Sequence, residues 1–140
     1  MSHPVRDVRR RIRTDHPSIV DGIDACADAV AARWDTARTT DSEAVADGLH
    51  RALAEAGVLE ALSRVLADSV DATGYELRAT PVPAPPYVVV TSRGPMLRAT
   101  IDPGRLVIRF DAFEVVRDPS PDRSPSYRRL DGTRLAVSLE

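Results

Sequence analysis

Residues 87–116 run YVVVTSRGPMLRATIDPGRLVIRFDAFEVV, and their reading decides the fold. Three stretches, Tyr87 to Ser92, Met96 to Asp102 and Arg105 to Val116, are rich in Val, Ile, Leu and Phe and are separated by Gly94-Pro95 and Pro103-Gly104. β-Branched and aromatic residues fit a pleated surface, while glycine and proline interrupt it, so the spacing predicts a three-stranded antiparallel meander. Pairing the middle hairpin through Asp102-Pro103-Gly104-Arg105 puts Thr100 opposite Val107 and Arg98 opposite Arg109. Side chains alternate along a strand, so one face carries Leu97, Ala99, Ile101, Leu106, Ile108 and Phe110, with Val88 and Val90. The other face carries Thr91, Arg93, Arg98, Arg105 and Arg109. The apolar face requires a cover, and the arginine face is the open one.

The cover lies upstream. Pro4 suits a helix start, and Val5, Val8 and Ile12 make one narrow stripe on a helix otherwise filled by Arg6, Arg9, Arg10, Arg11 and Arg13. After Asp15-His16-Pro17, with Asp15 as the expected cap, Ile19, Ile23, Cys26, Val30 and Trp34 recur at helical steps, with Asp21, Asp24, Asp28 and Asp35 off the stripe. Thr40 and Glu43 have capping-box spacing and open a third helix through Val45, Leu49, Leu53 and Ala56. Val58, Leu62, Val65, Leu66 and Val70 continue the pattern to Gly74, and Gly57 either ends one helix and starts another or sits inside a single long one. Pro81, Pro83, Pro85 and Pro86 form an extended connector. Beyond the meander, a polar loop over 118–126 precedes an expected final hairpin turning at Asp131-Gly132.

The expectation is therefore one α+β domain over 1–140, with a helical half (1–74), a Pro-rich connector (75–86) and a sheet half (87–140). The N-terminal helices pack on one face of a C-terminal antiparallel sheet built of a meander plus a hairpin. A chain of 140 residues buries enough surface to fold without staples. Its single cysteine allows no intrachain disulfide, no secretory signal pattern precedes the first helix, and no apolar run approaches membrane-spanning length. A cytoplasmic location with no membrane partner is expected.

All 19 basic residues are arginine, and Asp outnumbers Glu 15 to 6. In this composition, and in its layout of helices followed by strands, the chain resembles uncharacterised small α+β proteins of halophilic archaea, with high-GC actinobacteria as the second candidate. Such proteins usually hold a large negative charge, whereas this chain has a net charge of −2. That near balance points to an anionic partner.

Two basic surfaces are candidates for binding: the sheet-face residues Arg93, Arg98, Arg105 and Arg109, and the helical residues Arg6, Arg9, Arg10 and Arg13. Arginine's planar fork suits phosphates and carboxylates. The plainer alternatives are a solvated sheet face in which Asp111 or Asp102 relieves the Arg98–Arg109 pair, and a first helix whose arginines pair with the acidic second helix. Residues 51–66, RALAEAGVLEALSRVL, resemble the helix-turn-helix of the lactose-repressor family, where Ala-Gly-Val is followed by Ser-Arg-Val-Leu. The chain departs from that pattern in having four intervening residues where the family has five, and Leu59 where the family has a polar cap. One deleted residue turns a recognition face by roughly 100°. The resemblance implies a DNA-binding regulator only if Ser63 and Arg64 are exposed.

Little else suggests chemistry. Cys26 shares a stripe with Ile23 and Val30, as an inert buried thiol would. His3, His16 and His50 are scattered, and His50 with Asp47 makes at most two ligands, so no metal and no cofactor is expected. No Walker loop, dinucleotide-binding turn or nucleophile elbow occurs. Asp111, Glu114 and Asp118 would supply acid–base groups only if they met in a cleft. Tyr127-Arg128-Arg129 is either a grip for an acidic partner or a solvated loop. The reading favours a non-enzymatic binding or adaptor module engaging an acidic protein or nucleic acid. A small enzyme or ligand-binding domain, with a pocket between the helices and the Pro81–Pro86 connector, is the alternative, and a helix-turn-helix regulator the third. An open sheet edge also offers itself for homodimer pairing.

Overall fold

The computed structural model describes residues 3–120 and 122–140. Four helices, α1 (Pro4–Asp15), α2 (Pro17–Ala31), α3 (Ser42–Glu55) and α4 (Val58–Thr73), cover one face of a five-stranded sheet. The strands are β1 (Arg38–Thr39), β2 (Val88–Val90), β3 (Pro95–Ile101), β4 (Gly104–Val116) and β5 (Ser126–Leu139), in the spatial order β1-β5-β4-β3-β2 and antiparallel throughout. The fold is α+β, as the apolar patterning predicts.

The helices stand where their stripes place them. Val8 and Ile12 of α1, Ile23 and Ala27 of α2, Leu49 and Leu53 of α3, and Leu62 and Leu66 of α4 are fully buried against Leu97, Leu106, Ile108 and Phe110 of the sheet. Burial of each such side chain contributes about 1.5–3 kcal/mol. Gly57 adopts φ 76°, a left-handed conformation that costs glycine little, and divides α3 from α4.

The helix boundaries depart from expectation in three places. His16, not Asp15, lies between α1 and α2, and its side chain turns away from the helix end to meet Asp68 of α4. The N-cap of α3 is Asp41, whose carboxylate accepts from the Ala44 amide at 3.0 Å, rather than Thr40. The second helix stops at Ala31, so Trp34 lies in the following turn, where its ring packs 5.5 Å from that of Phe113.

The β3–β4 hairpin is tighter than expected. Ile101 pairs with Gly104 across Asp102-Pro103, so Arg98 faces Val107 and Arg109 faces Met96; the direct Arg98–Arg109 opposition does not occur. The shift is two residues, and a sheet has a period of two, so both faces keep their expected residues. The expected hairpin at Asp131-Gly132 is replaced by a single long strand, β5, paired with β4 along most of its length. Asp111 pairs with Arg134 and Phe113 with Arg129, so Leu130 to Thr133 bulge out opposite Ala112 alone. Asp-Gly here serves a bulge, another place where a strand bends. The short β1, beside Arg128 and Tyr127, extends the sheet by a strand the sequence did not suggest.

The bulge is held from both sides. The Arg93 carbonyl accepts from the Ala112 and Phe113 amides at 2.7 and 2.9 Å, and the Arg129 guanidinium donates to the Ala112 and Leu130 carbonyls at 3.0 and 2.9 Å. Gly94 follows Arg93 at φ 152°, and a Cβ there would collide with the Phe110 carbonyl, so glycine is required for this close approach.

Candidate anion-binding face

Because all four helices lie on one side, the side chains pointing away from them on β3, β4 and β5 form an open surface. Arg98 of β3 is a diagonal neighbour of both Arg105 and Arg109 on β4, at the ~7–8 Å typical of such pairs. Val107 lies between the two β4 arginines and is only 8% exposed under its neighbours. Arg98, Arg105, Val107 and Arg109 line one depression of about 380 Å³ together with Met96, Ala136, Ser138 and Glu140. Arg98 and Arg105 also line a second cleft, of about 350 Å³, whose far wall is the connector: Leu77, Arg78, Ala79, Pro86 and Tyr87. A third depression, of about 250 Å³, joins Arg109 and Met96 to Arg93. These share lining residues, so a groove runs from Arg78 across Arg98, Arg105 and Arg109 to Arg93.

Two carboxylates, Asp111 and Glu140, line the groove beside its five arginines. Arg109 meets Asp111 at 3.4 Å, the relief expected from a neighbouring aspartate. Among the described residues, Arg78, Arg93, Arg98 and Arg105 have no carboxylate within ion-pair distance. The Nε of Arg98 is buried and has no hydrogen-bond partner. A buried donor left unsatisfied carries a desolvation cost.

The first-helix arginines are not part of this groove. α1 packs on α4 and β5 from the helix-covered side, so Arg6, Arg9, Arg10 and Arg13 lie across the molecule from Arg98. The expected pairing of this helix with α2 is also replaced. Arg11 reaches Asp68 of α4 at 2.7 Å and Asp15 at 3.5 Å, and His16 Nε2 lies 2.7 Å from Asp68. Burial works to raise the Asp68 carboxyl, but the hydrogen bond from His16 and the charge and hydrogen bond of Arg11 outweigh it and hold it below its ordinary range.

The acids of α2 serve the β5 bulge instead. Arg129 donates to Asp24 at 2.8 Å and Asp28 at 3.0 Å, while the Thr133 amide and hydroxyl reach the same Asp24 oxygen at 2.9 and 2.6 Å. Burial again opposes ionisation of Asp24, and the bonds from Thr133 and Arg129 prevail, lowering its pKa. The Tyr127-Arg128-Arg129 run is therefore tied into the fold, Arg128 being engaged with Glu114. Asp118 pairs with Arg123 at 3.5 Å, so Asp111, Glu114 and Asp118 each meet a different arginine rather than one another.

Cys26 is buried, which pushes its thiol pKa up. Ser63 is 7% exposed and donates to the Glu60 carbonyl at 2.7 Å, whereas a recognition helix would present it; Arg64 is exposed, and Val58, Leu62 and Val65 are core. Among the described residues no cluster of three or more His, Cys, Asp or Glu side chains is placed to hold a metal ion, and no helix is long and apolar enough to cross a membrane. From Arg129 onward, β5 has a strand neighbour on one side only among those residues. The groove residue that sequence reasoning missed is Arg78, because its place beside β3 depends on the path of the connector and leaves no periodic signal.

Four helices on one face of a five-stranded antiparallel sheet, with an arginine-lined groove on the other face, define a two-layer α+β domain. The chain belongs to the family described as Domain of unknown function (DUF7988), whose model matches residues 6–140. No curated protein and no solved structure matches it.

Proposed function

We propose that this protein is a non-enzymatic binding module that docks a single-stranded nucleic acid along the open sheet face. The observation that carries the reading is the run of arginines Arg78, Arg98 and Arg105 without ion-pair partners among the described residues, continued by Arg109, on a face where five arginines meet the two carboxylates Asp111 and Glu140. Charge alone fits an acidic protein segment equally well. Interleaving favours nucleic acid: the arginines alternate with the apolar surfaces of Met96, Val107, Ala136, Pro86 and Tyr87, as phosphates alternate with bases along a strand. Binding is favoured over catalysis because the connector cleft is lined by no carboxylate, histidine or cysteine to act as general base.

The lysine-free, aspartate-rich composition supports a halophilic archaeal source and a cytoplasmic setting for this role. In concentrated salt, long-range attraction is screened, and bidentate arginine hydrogen bonds keep more of their strength than point charges do.

A salt titration tests the proposal. Affinity for a single-stranded oligonucleotide should fall linearly with salt on logarithmic axes, and Arg98→Ala/Arg109→Ala should reduce the slope by about 1.4, the share of two phosphate contacts. Val8 and Ile12 are core, so α1 is probed by substituting Arg6, Arg9, Arg10 and Arg13 with glutamine rather than by deletion, and the slope should not change. Tighter binding to polyglutamate than to the oligonucleotide would transfer the face to an acidic protein. Absence of binding to either at low salt overturns the proposal.

A further inference from the structure

The connector cleft differs from the rest of the groove in having walls on two sides. One is the open face of β3 and β4, with Arg98, Thr100 and Arg105; the other is the chain from Leu77 to Ala79 with Pro86 and Tyr87. The Arg98 amide donates to the Tyr87 carbonyl at 2.9 Å, which fixes the connector's end against β3. Arginines from three segments, Arg78 from the connector, Arg98 from β3 and Arg105 from β4, line the same space of about 350 Å³, and none has a carboxylate partner among the described residues. A cleft at the small end of ligand-pocket size, with three cations at its polar side and Leu77, Pro86 and Tyr87 at its apolar side, suits a compact amphipathic anion.

We infer that this cleft is a binding site for a phosphate monoester, with the phosphoryl oxygens among Arg78, Arg98 and Arg105 and the organic body against Tyr87 and Pro86. A monoester carries close to two negative charges at neutral pH, whereas a phosphodiester within a strand carries one. A dianion is the better match for three uncompensated guanidinium groups. Arg98 lines the cleft and has no ion-pair partner among the described residues, which leaves its guanidinium group available to a phosphoryl oxygen. The inference rests on reading the open face as an anion-binding surface and narrows it: the cleft lies at one end of the groove and takes either a free nucleoside monophosphate or the 5′-phosphorylated end of a strand lying in that groove.

The experiment is calorimetric titration of the full chain at low salt with AMP, adenosine and inorganic phosphate, and with a short oligonucleotide bearing either a 5′-phosphate or a 5′-hydroxyl. AMP should bind at least about tenfold more tightly than adenosine, since hydrogen bonds to a charged group are lost with the phosphate. It should also bind more tightly than inorganic phosphate, which lacks the body that Tyr87 and Pro86 contact. Arg98→Gln should weaken AMP by a similar factor, and Arg78→Gln, on an exposed connector residue, checks the cleft should the β3 variant fail to fold. A 5′-phosphate that strengthens the oligonucleotide assigns the strand end as source, and AMP binding without that gain assigns the free nucleotide. If AMP binds no better than adenosine and the 5′-phosphate adds nothing, the cleft assignment is overturned, even where the oligonucleotide still binds with a salt slope. AMP binding with no oligonucleotide binding keeps the cleft and removes the wider groove.

Discussion

Arg129 and Arg98 lie on opposite faces of one sheet, and the same residue type does opposite things. Arg129, with its side chain 14% exposed, spends its donors on Asp24, Asp28 and the Ala112 and Leu130 carbonyls. Arg98 has a buried Nε with no acceptor and no carboxylate in reach among the described residues. The difference comes from what faces each strand. On the inner face an acidic helix, α2, supplies partners for the arginine, and the pair fixes a bulge; on the outer face no helix covers the sheet among the described residues, and the connector walls only the Arg98 and Arg105 end. An arginine whose bonds are complete is part of the architecture, and one whose bonds are missing still has donors to offer a ligand.

The largest effect that separates the two should come from Arg129→Leu. Removing it leaves Asp24 partly enclosed without its cation and two bulge carbonyls without a donor, at a cost of about 3 kcal/mol by analogy with broken buried ion pairs. Urea denaturation followed by circular dichroism measures this. A loss below about 1 kcal/mol, the range of ordinary surface pairs, would show that the inner arginine is no more structural than the outer ones.

Acid should discriminate the faces next. Asp24 and Asp68 both have folded-state pKa values below their ordinary 3.8, so each stabilises the fold above about that pH, and the contribution disappears as pH falls through the lowered values. The urea midpoint should therefore change little from pH 7 to 5 and fall below pH 4. Asp24→Asn should be less stable at neutral pH and should fall less steeply in acid. Arg98→Gln and Arg105→Gln should retain the wild-type acid limb, since neither pairs with these carboxylates. An acid limb unchanged in Asp24→Asn would remove this carboxylate from the account of the bulge.

The contrast also explains what was legible in the sequence. Helical stripes at Val8 and Ile12 or Leu62 and Leu66 follow from local periodicity, and so does the alternation that divides Leu97, Ala99 and Ile101 from Arg98. A two-residue register error did not disturb that division, because strand faces depend on parity alone. What escaped was non-local. Asp131-Gly132 has the local signature of a hairpin turn, yet β4 runs 13 residues from Gly104 to Val116 and needs a long neighbour on its second side, so the chain from Ser126 to Leu139 passes through the dipeptide as a bulge. The partners of Arg129 on α2 are 105 and 101 residues away in sequence, and no pattern links them. Four of the five groove arginines were visible, as Arg93, Arg98, Arg105 and Arg109, while Arg78 entered only when the connector's path was known.

The smallest effect is the one that tests the outer face most sharply. Replacing Arg98 by Met keeps the aliphatic stem that covers the sheet beside Val107 while removing a guanidinium whose Nε is already unsatisfied. The fold loses no ion pair among those described, and it is relieved of one unpaired buried donor, so stability should stay within about 0.5 kcal/mol of wild type, as for surface changes without a structural partner. Binding should respond differently, with the salt slope for single strands falling by about 0.7. If Arg98→Met instead destabilises the fold as Arg129→Leu does, Arg98 has a structural partner after all, and the groove loses its central residue.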